Sequence, residues 1–159
     1  MMKKVLLKGP ILSQSGYGEQ TRFAFRSLMQ SGKYDVYLHA INWGKTGWLW
    51  RDDTERKLID ELIKKTVAHT QTNQPFDVSI QVTIPDEFER LAKYNIGYTA
   101  GIESDRVSLK WLEKANIMDR LIVVSGHSKR VFENTHIQFK TTENGPIHEA
   151  SLKTPVDVV

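Results

Sequence analysis

The feature that most constrains the fold is an alternation. Short apolar or β-branched runs at Val5–Lys8, Val36–Ile41, Asp77–Val82, Ile96–Thr99 and Leu121–Ser125, with a last extended run from Val156, alternate with longer stretches of helical period. This pattern predicts an α/β domain with helices packed on a mainly parallel central sheet. Several of the runs lack the polar alternation of a half-solvated strand, as expected where helices cover both faces of a sheet and make three layers.

The intervening stretches read as helices. The first spans about Tyr17 to Gln30, with Tyr17, Thr21, Ala24 and Leu28 on one face and Gly32 at its exit. The second spans Thr54 to Thr70, with an apolar stripe of Leu58, Ile59, Leu62, Ile63 and Val67, and Asp52 or Asp53 near its cap. A third begins near Pro85, has Asp86 and Glu87 against the helix dipole and carries Phe88 and Leu91. Trp111, Leu112 and Ala115 belong to a fourth, and Ser128 to about Asn134 to a fifth. Two segments break the rhythm: the tryptophan-rich Asn42–Asp53, NWGKTGWLWRDD, and the polar Ile137–Pro155.

At 159 residues the chain reads as one domain, 1–159, able to bury roughly two thirds of its extended surface without a disulfide or metal. With no cysteine it has neither a thiolate nucleophile nor a thiolate metal site, and it suits a reducing, cytoplasmic compartment. The opening MMKKVLLKGPIL is broken by Lys8 and Pro10 before it reaches the length of a signal core or a membrane span. The 22 basic and 19 acidic side chains leave a formal charge of +3 scattered along the chain, weak support for an anionic ligand and no basic stripe for nucleic acid. His39, His69, His136 and His148 lack metal-ligand spacing, so no metal is expected, and no Gly-x-Ser-x-Gly elbow supports a serine hydrolase.

Three loops follow strand ends, where open parallel sheets bind ligands. Ser13-Gln14-Ser15-Gly16-Tyr17-Gly18-Glu19 follows the first strand and opens the first helix. Its glycines admit close backbone approach by a phosphate or sugar, and Ser13 and Ser15 supply hydroxyls. It is neither a Walker loop nor the three-glycine dinucleotide fingerprint, and a serine-capped tight turn is the plain alternative. Asn95–Arg106 places Tyr98, Gly101, Glu103 and Asp105 at or past a strand end, where acids either fix sugar hydroxyls or cap a helix. Ser125-Gly126-His127-Ser128-Lys129-Arg130 follows the fifth strand: Ser128 suits a cap, His127 a hydrogen bond to an acceptor, and Lys129 or Arg130 either phosphate charge or solvent.

Taken in order, the SQSGYGEQTRFAFRSL helix, the tryptophan-rich loop, IPDEFERLAKYNIGYTAGIESDRV and WLEKANIMDRLIVVSGHSKRVFENT resemble the N-terminal, acceptor-side Rossmann-like domain of GT-B glycosyltransferases. The resemblance is to the retaining family described as glycosyl transferases group 1. It runs over nearly the whole chain and is strongest at residues 5–30 and 84–134. It implies one half of a GT-B architecture and a cleft near donor diphosphate and acceptor that includes Ser15, Gly16, Tyr17 and Gly18. Asp119, Ser125, Ser128 and Lys129 match positions of the family's D-x-I-x-V-x-S-x-x-S/T-K segment, whose helix shapes the cleft beside His127. The family's frequent acceptor-side histidine has no counterpart here, where Tyr98, Glu103 and Asp105 stand instead, so the catalytic residues stay unassigned.

The resemblance further implies a nucleotide-sugar donor as substrate, no tightly bound cofactor, and a C-terminal donor-binding domain that this chain lacks. Thr154–Val159 looks like the last strand before such a domain, so the expectation is an enzyme cut short, with little transfer activity alone. Two alternatives stand beside it. One is a stand-alone binder of a nucleotide or sugar phosphate without turnover. The other is a module contacting nucleic acid through Trp43, Trp48, Trp50, Lys45 and Arg51, as interleaved aromatic and basic residues can. Trp48 is placed at the cleft, and contact with a membrane surface has no amphipathic basic helix to support it.

Overall fold

The computed structural model describes residues 1–49, 51–101 and 104–159. Its elements follow as β1 (Lys3–Gly9), α1 (Gly16–Ser31), β2 (Tyr34–Ala40), α2 (Thr54–Thr70), β3 (Phe76–Val82), a 3-10 turn (Pro85–Glu87), β4 (Ala92–Thr99), α3 (Leu109–Asn116), β5 (Arg120–Val123), α4 (Gly126–Asn134), β6 (Ile137–Phe139), β7 (His148–Ala150) and β8 (Val156–Val158). Six strands make a sheet in the order β2-β1-β3-β4-β5-β8. β1 runs parallel to β2 and β3, and β5 runs parallel to β4 and β8. The fold is therefore the Rossmann-like α/β arrangement expected from the alternation.

Contacts divide the chain into two compact units, Met1–Thr83 with Leu91–Asn95, and Ile84–Arg90 with Ile96–Val159. In the first, α1 buries Gly18, Thr21, Arg22 and Phe25. The expected face of Tyr17, Thr21, Ala24 and Leu28 is turned, leaving all but Thr21 half-buried. A close contact decides this: a Cβ on Gly9 would lie 2.5 Å from Thr21 Oγ1, so a glycine in β1 lets Thr21 press against the strand. α2 keeps its predicted bounds and is capped by Asp53, whose carboxylate accepts from Arg56 N–H at 2.8 Å. Of its predicted stripe, Ile59 is buried and Val67 is 56% exposed, at the rim of an apolar groove of about 490 Å³ whose lining includes Leu6, Leu38, Ile63, Phe76 and Leu91.

The third predicted helix is absent. Only Pro85–Glu87 turns, and Phe88 already has extended backbone. The Asn95 side chain explains part of this, because its Oδ1 accepts from Leu91 N–H at 2.9 Å and Ala92 N–H at 3.0 Å, donors that a helix would have used. Phe88 is fully buried, its ring 2.5 Å from where a Cβ on Gly97 would sit. In the second unit it joins a core with Val107, Leu112, Leu121, Val123 and Phe132. The polar stretch after α4 contains a small antiparallel pair, β6 with β7, short enough to leave no strong sequence period. Among the described residues no helix is long and apolar enough to cross a membrane.

Candidate functional site

The loop after β1 is built by its own hydroxyls. Ser15, in extended conformation, caps α1 by accepting from Gly18 N–H at 3.0 Å. Ser13, 3% exposed, has its Oγ 3.0 Å from Ser15 Oγ and 2.6 Å from Thr46 Oγ1. Thr46 in turn donates to the Trp43 carbonyl at 2.6 Å. The tryptophan-rich segment is thereby tied to the serine loop, and main-chain bonds complete the tie: Gln14 N–H donates to Gly47 at 2.9 Å, Leu49 N–H donates to Leu12 at 2.7 Å, and Ser13 bridges Trp48 in antiparallel sense.

The two glycines that the sequence brought together have different duties. A Cβ on Gly18 would overlap the Ser13 carbonyl oxygen and stand 3.0 Å from that of Pro10, so the turn itself demands glycine there. A Cβ on Gly16 would meet nothing within 4 Å. Packing does not require glycine at the exposed first position of α1, which leaves its backbone open to a ligand.

The Tyr17 and Trp43 rings pack at a 35° tilt with centroids 4.5 Å apart, so Trp43 closes against the loop. Trp48 stays 54% exposed, and Trp50 lies outside the described residues. A recess of about 460 Å³ opens here, lined by Gln14, Ser15, Gly16, Glu19, Arg22, Leu49 and Arg51. Of its two arginines, Arg51 entered the sequence reading only as a nucleic-acid contact, and Arg22 not at all. Arg22 is 8% exposed and donates from Nη1 to the carbonyls of Ile11 at 2.8 Å and Ser13 at 2.9 Å, bracing the turn from beneath. Its signal was hidden, because a helical arginine is ordinarily solvated.

Beside the recess, Arg26 grips Glu55 with two bonds of 2.7 and 3.1 Å. That hydrogen bond holds the Glu55 carboxyl below its ordinary range, against a smaller opposing effect of burial. A depressed folded-state value means that the pair stabilises the fold above the ordinary carboxylate range and ceases to as pH falls through the lowered value. Both side chains are partly exposed, which keeps the contribution small. In an NMR titration the Glu55 carboxyl is expected to titrate below the ordinary value of about 4.3. Arg26→Gln should raise that midpoint, and an unchanged midpoint would contradict the assignment.

The second unit carries the remaining predicted residues. Ser125, not Ser128, caps α4, accepting from Ser128 N–H at 3.0 Å, and the helix starts at Gly126. The cap falls to Ser125 because Ser128 is drawn under the chain, 3% exposed, its hydroxyl donating to the Ala100 carbonyl at 3.3 Å. Gly101 has φ +86°, and a Cβ there would lie 2.6 Å from Ser128 Cβ. His127 is exposed, and Lys129 lies 3.9 Å from Glu133. Tyr98 is half-buried in β4, Asp105 is exposed, and Glu103 lies outside the described residues. No group of three or more His, Asp or Glu that could hold a metal occurs among the described residues.

Comparison with protein-family models, curated proteins and solved structures finds no match.

Proposed function

We propose that this chain is the acceptor-side domain of a retaining glycosyltransferase of the GT-B type, working with a donor-binding domain outside these residues. The observation that carries the reading is the loop at the carboxyl end of β1. It is held rigid by the hydroxyls of Ser13, Ser15 and Thr46, it opens α1, and it leaves Gly16 bare. A leaving diphosphate needs fixed donors aimed at its charge, and a helix start with no side chain in the way supplies them at no reorganisation cost. Ser15, Gly16 and Tyr17 would face the diphosphate, while Gly18 forms the turn. In the second unit, the α4 start with Ser125, His127 and Lys129 offers hydroxyl, imidazole and cation for acceptor contacts, and a cytoplasmic setting belongs to the same reading.

The test compares this 159-residue chain with a longer product of the same reading frame. The isolated chain is expected to bind nucleotide-sugars weakly and to turn them over negligibly, since the donor's base and ribose need the second domain. The longer product is expected to transfer sugar with retention. Turnover by the isolated chain at the rate of a complete enzyme, or none by a longer product that folds, would overturn the reading.

A further inference from the structure

Beside the glycine turn, the recess carries more positive charge than the fold uses. It continues past Glu19, Arg22 and Arg51 into a second hollow of about 330 Å³ that adds Phe23 and Arg26. Arg26 is committed to Glu55. Arg51 is exposed and makes no hydrogen bond or ion pair among the described residues. Arg22 is buried, yet its Nη1 meets only neutral carbonyl oxygens, and no carboxylate pairs with it among the described residues. Burial pushes the Arg22 guanidinium below its ordinary value; the charges of Arg26 and Arg51 add to this, while Glu19 and Glu55 offset it in part. A buried cation normally sits against an acid, because its lost hydration must be replaced. Arg22 and Arg51 line both hollows with Glu19 as the acid among the lining residues, so the like charges repel and an anion entering there relieves that repulsion.

We propose that this recess binds a phosphate monoester carried by the acceptor, with Arg51 and Arg22 as its cationic walls and the Gln14 amide at its rim. The inference rests on the transferase reading and names the acceptor class within it. A guanidinium presents parallel N–H donors that match two phosphate oxygens, which favours a phosphate over a neutral sugar hydroxyl. The hollow is local and its cations are few, so it suits one phosphate rather than a nucleic-acid backbone. Phe23, 68% exposed in the adjoining hollow, gives an apolar surface against which the rest of the acceptor can lie.

Amide shifts in the ¹⁵N-labelled 159-residue chain test this with no donor present. The probes are a hexose 6-phosphate, the same hexose without phosphate, inorganic phosphate, and phosphatidylcholine vesicles containing phosphatidic acid. The hexose phosphate, or the vesicles if the phosphate belongs to a lipid, is expected to move the amides of Gln14, Gly16, Glu19, Leu49 and Arg51. Arg51→Gln, whose spectrum should otherwise stay that of the parent because the side chain makes no structural bond, is expected to weaken binding about tenfold, in line with one charged hydrogen bond. The proposal is overturned if neutral hexose moves the same amides as strongly, if Arg51→Gln binds like the parent, or if neither phosphate ester shifts them. Inorganic phosphate binding as tightly as the ester would also overturn it, as an adventitious ion only. Failure here leaves the transferase reading to the assay of the longer product. Absence of transfer there, with ester binding here, would leave a phosphate-binding protein.

Discussion

Gly18→Val is expected to destabilise the protein by about 3 kcal/mol, the upper part of the range for overpacking a tight site. The added Cβ would overlap the Ser13 carbonyl oxygen and crowd that of Pro10, and both oxygens belong to main chain that cannot swing aside. Moving Ser13 would also disturb its hydroxyl contacts to Ser15 and Thr46 and its carbonyl bond from Arg22. The gain in helix propensity on losing glycine, at most about 1 kcal/mol, is too small to compensate. Gly16→Val is the control: with nothing within 4 Å of the new Cβ, its unfolding free energy in urea should stay within about 0.5 kcal/mol of the parent's. Its effect should appear as weakened ligand contact. Equal midpoints for the two variants would refute this division of labour.

Phe88→Ala is expected to cost about 3–5 kcal/mol, as for other fully buried aromatic side chains. The ring is 0% exposed and fills the space that Gly97 leaves by having no side chain, so neither partner can relax into the cavity cheaply. Leu91→Ala, at a half-buried position three residues on, should cost distinctly less. Denaturant unfolding of the two variants decides the matter. Similar losses would mean that Phe88 and Leu91 share the helical face their spacing suggests, rather than the extended path seen after Pro85–Glu87.

That pair of residues shows why part of the fold was hard to read. Pro85, Asp86 and Glu87 are a sound helix opening, and spacing alone continues the helix through Phe88 and Leu91. The competing signal was Asn95, whose amide takes the Leu91 and Ala92 N–H groups and offers Ala92 carbonyl a donor at 2.9 Å. A side-chain bond of this kind has no periodicity. The α1 face is turned for a related reason: Thr21 presses on a bare glycine in β1 and Arg22 reaches the carbonyls of Ile11 and Ser13 in the loop after that strand, neither visible in helical spacing.

The sequence by itself determined the α/β order, every strand of the main sheet and the bounds of α2, because hydrophobic period and capping chemistry are local and survive without knowledge of neighbours. It also placed Ser13–Gly18 and Ser125–Lys129 after strand ends and at helix starts, which the structure bears out for α1 and α4. Only the tertiary structure decided which glycine serves the turn and which serves the surface, which serine caps α4, and that Arg22 and Arg51 line one hollow. Those outcomes depend on distances between segments remote in sequence: Ser13 to Thr46, Ser128 to Ala100, and α1 to the loop before α2. Such distances are set by packing the whole chain at once, and no local pattern records them.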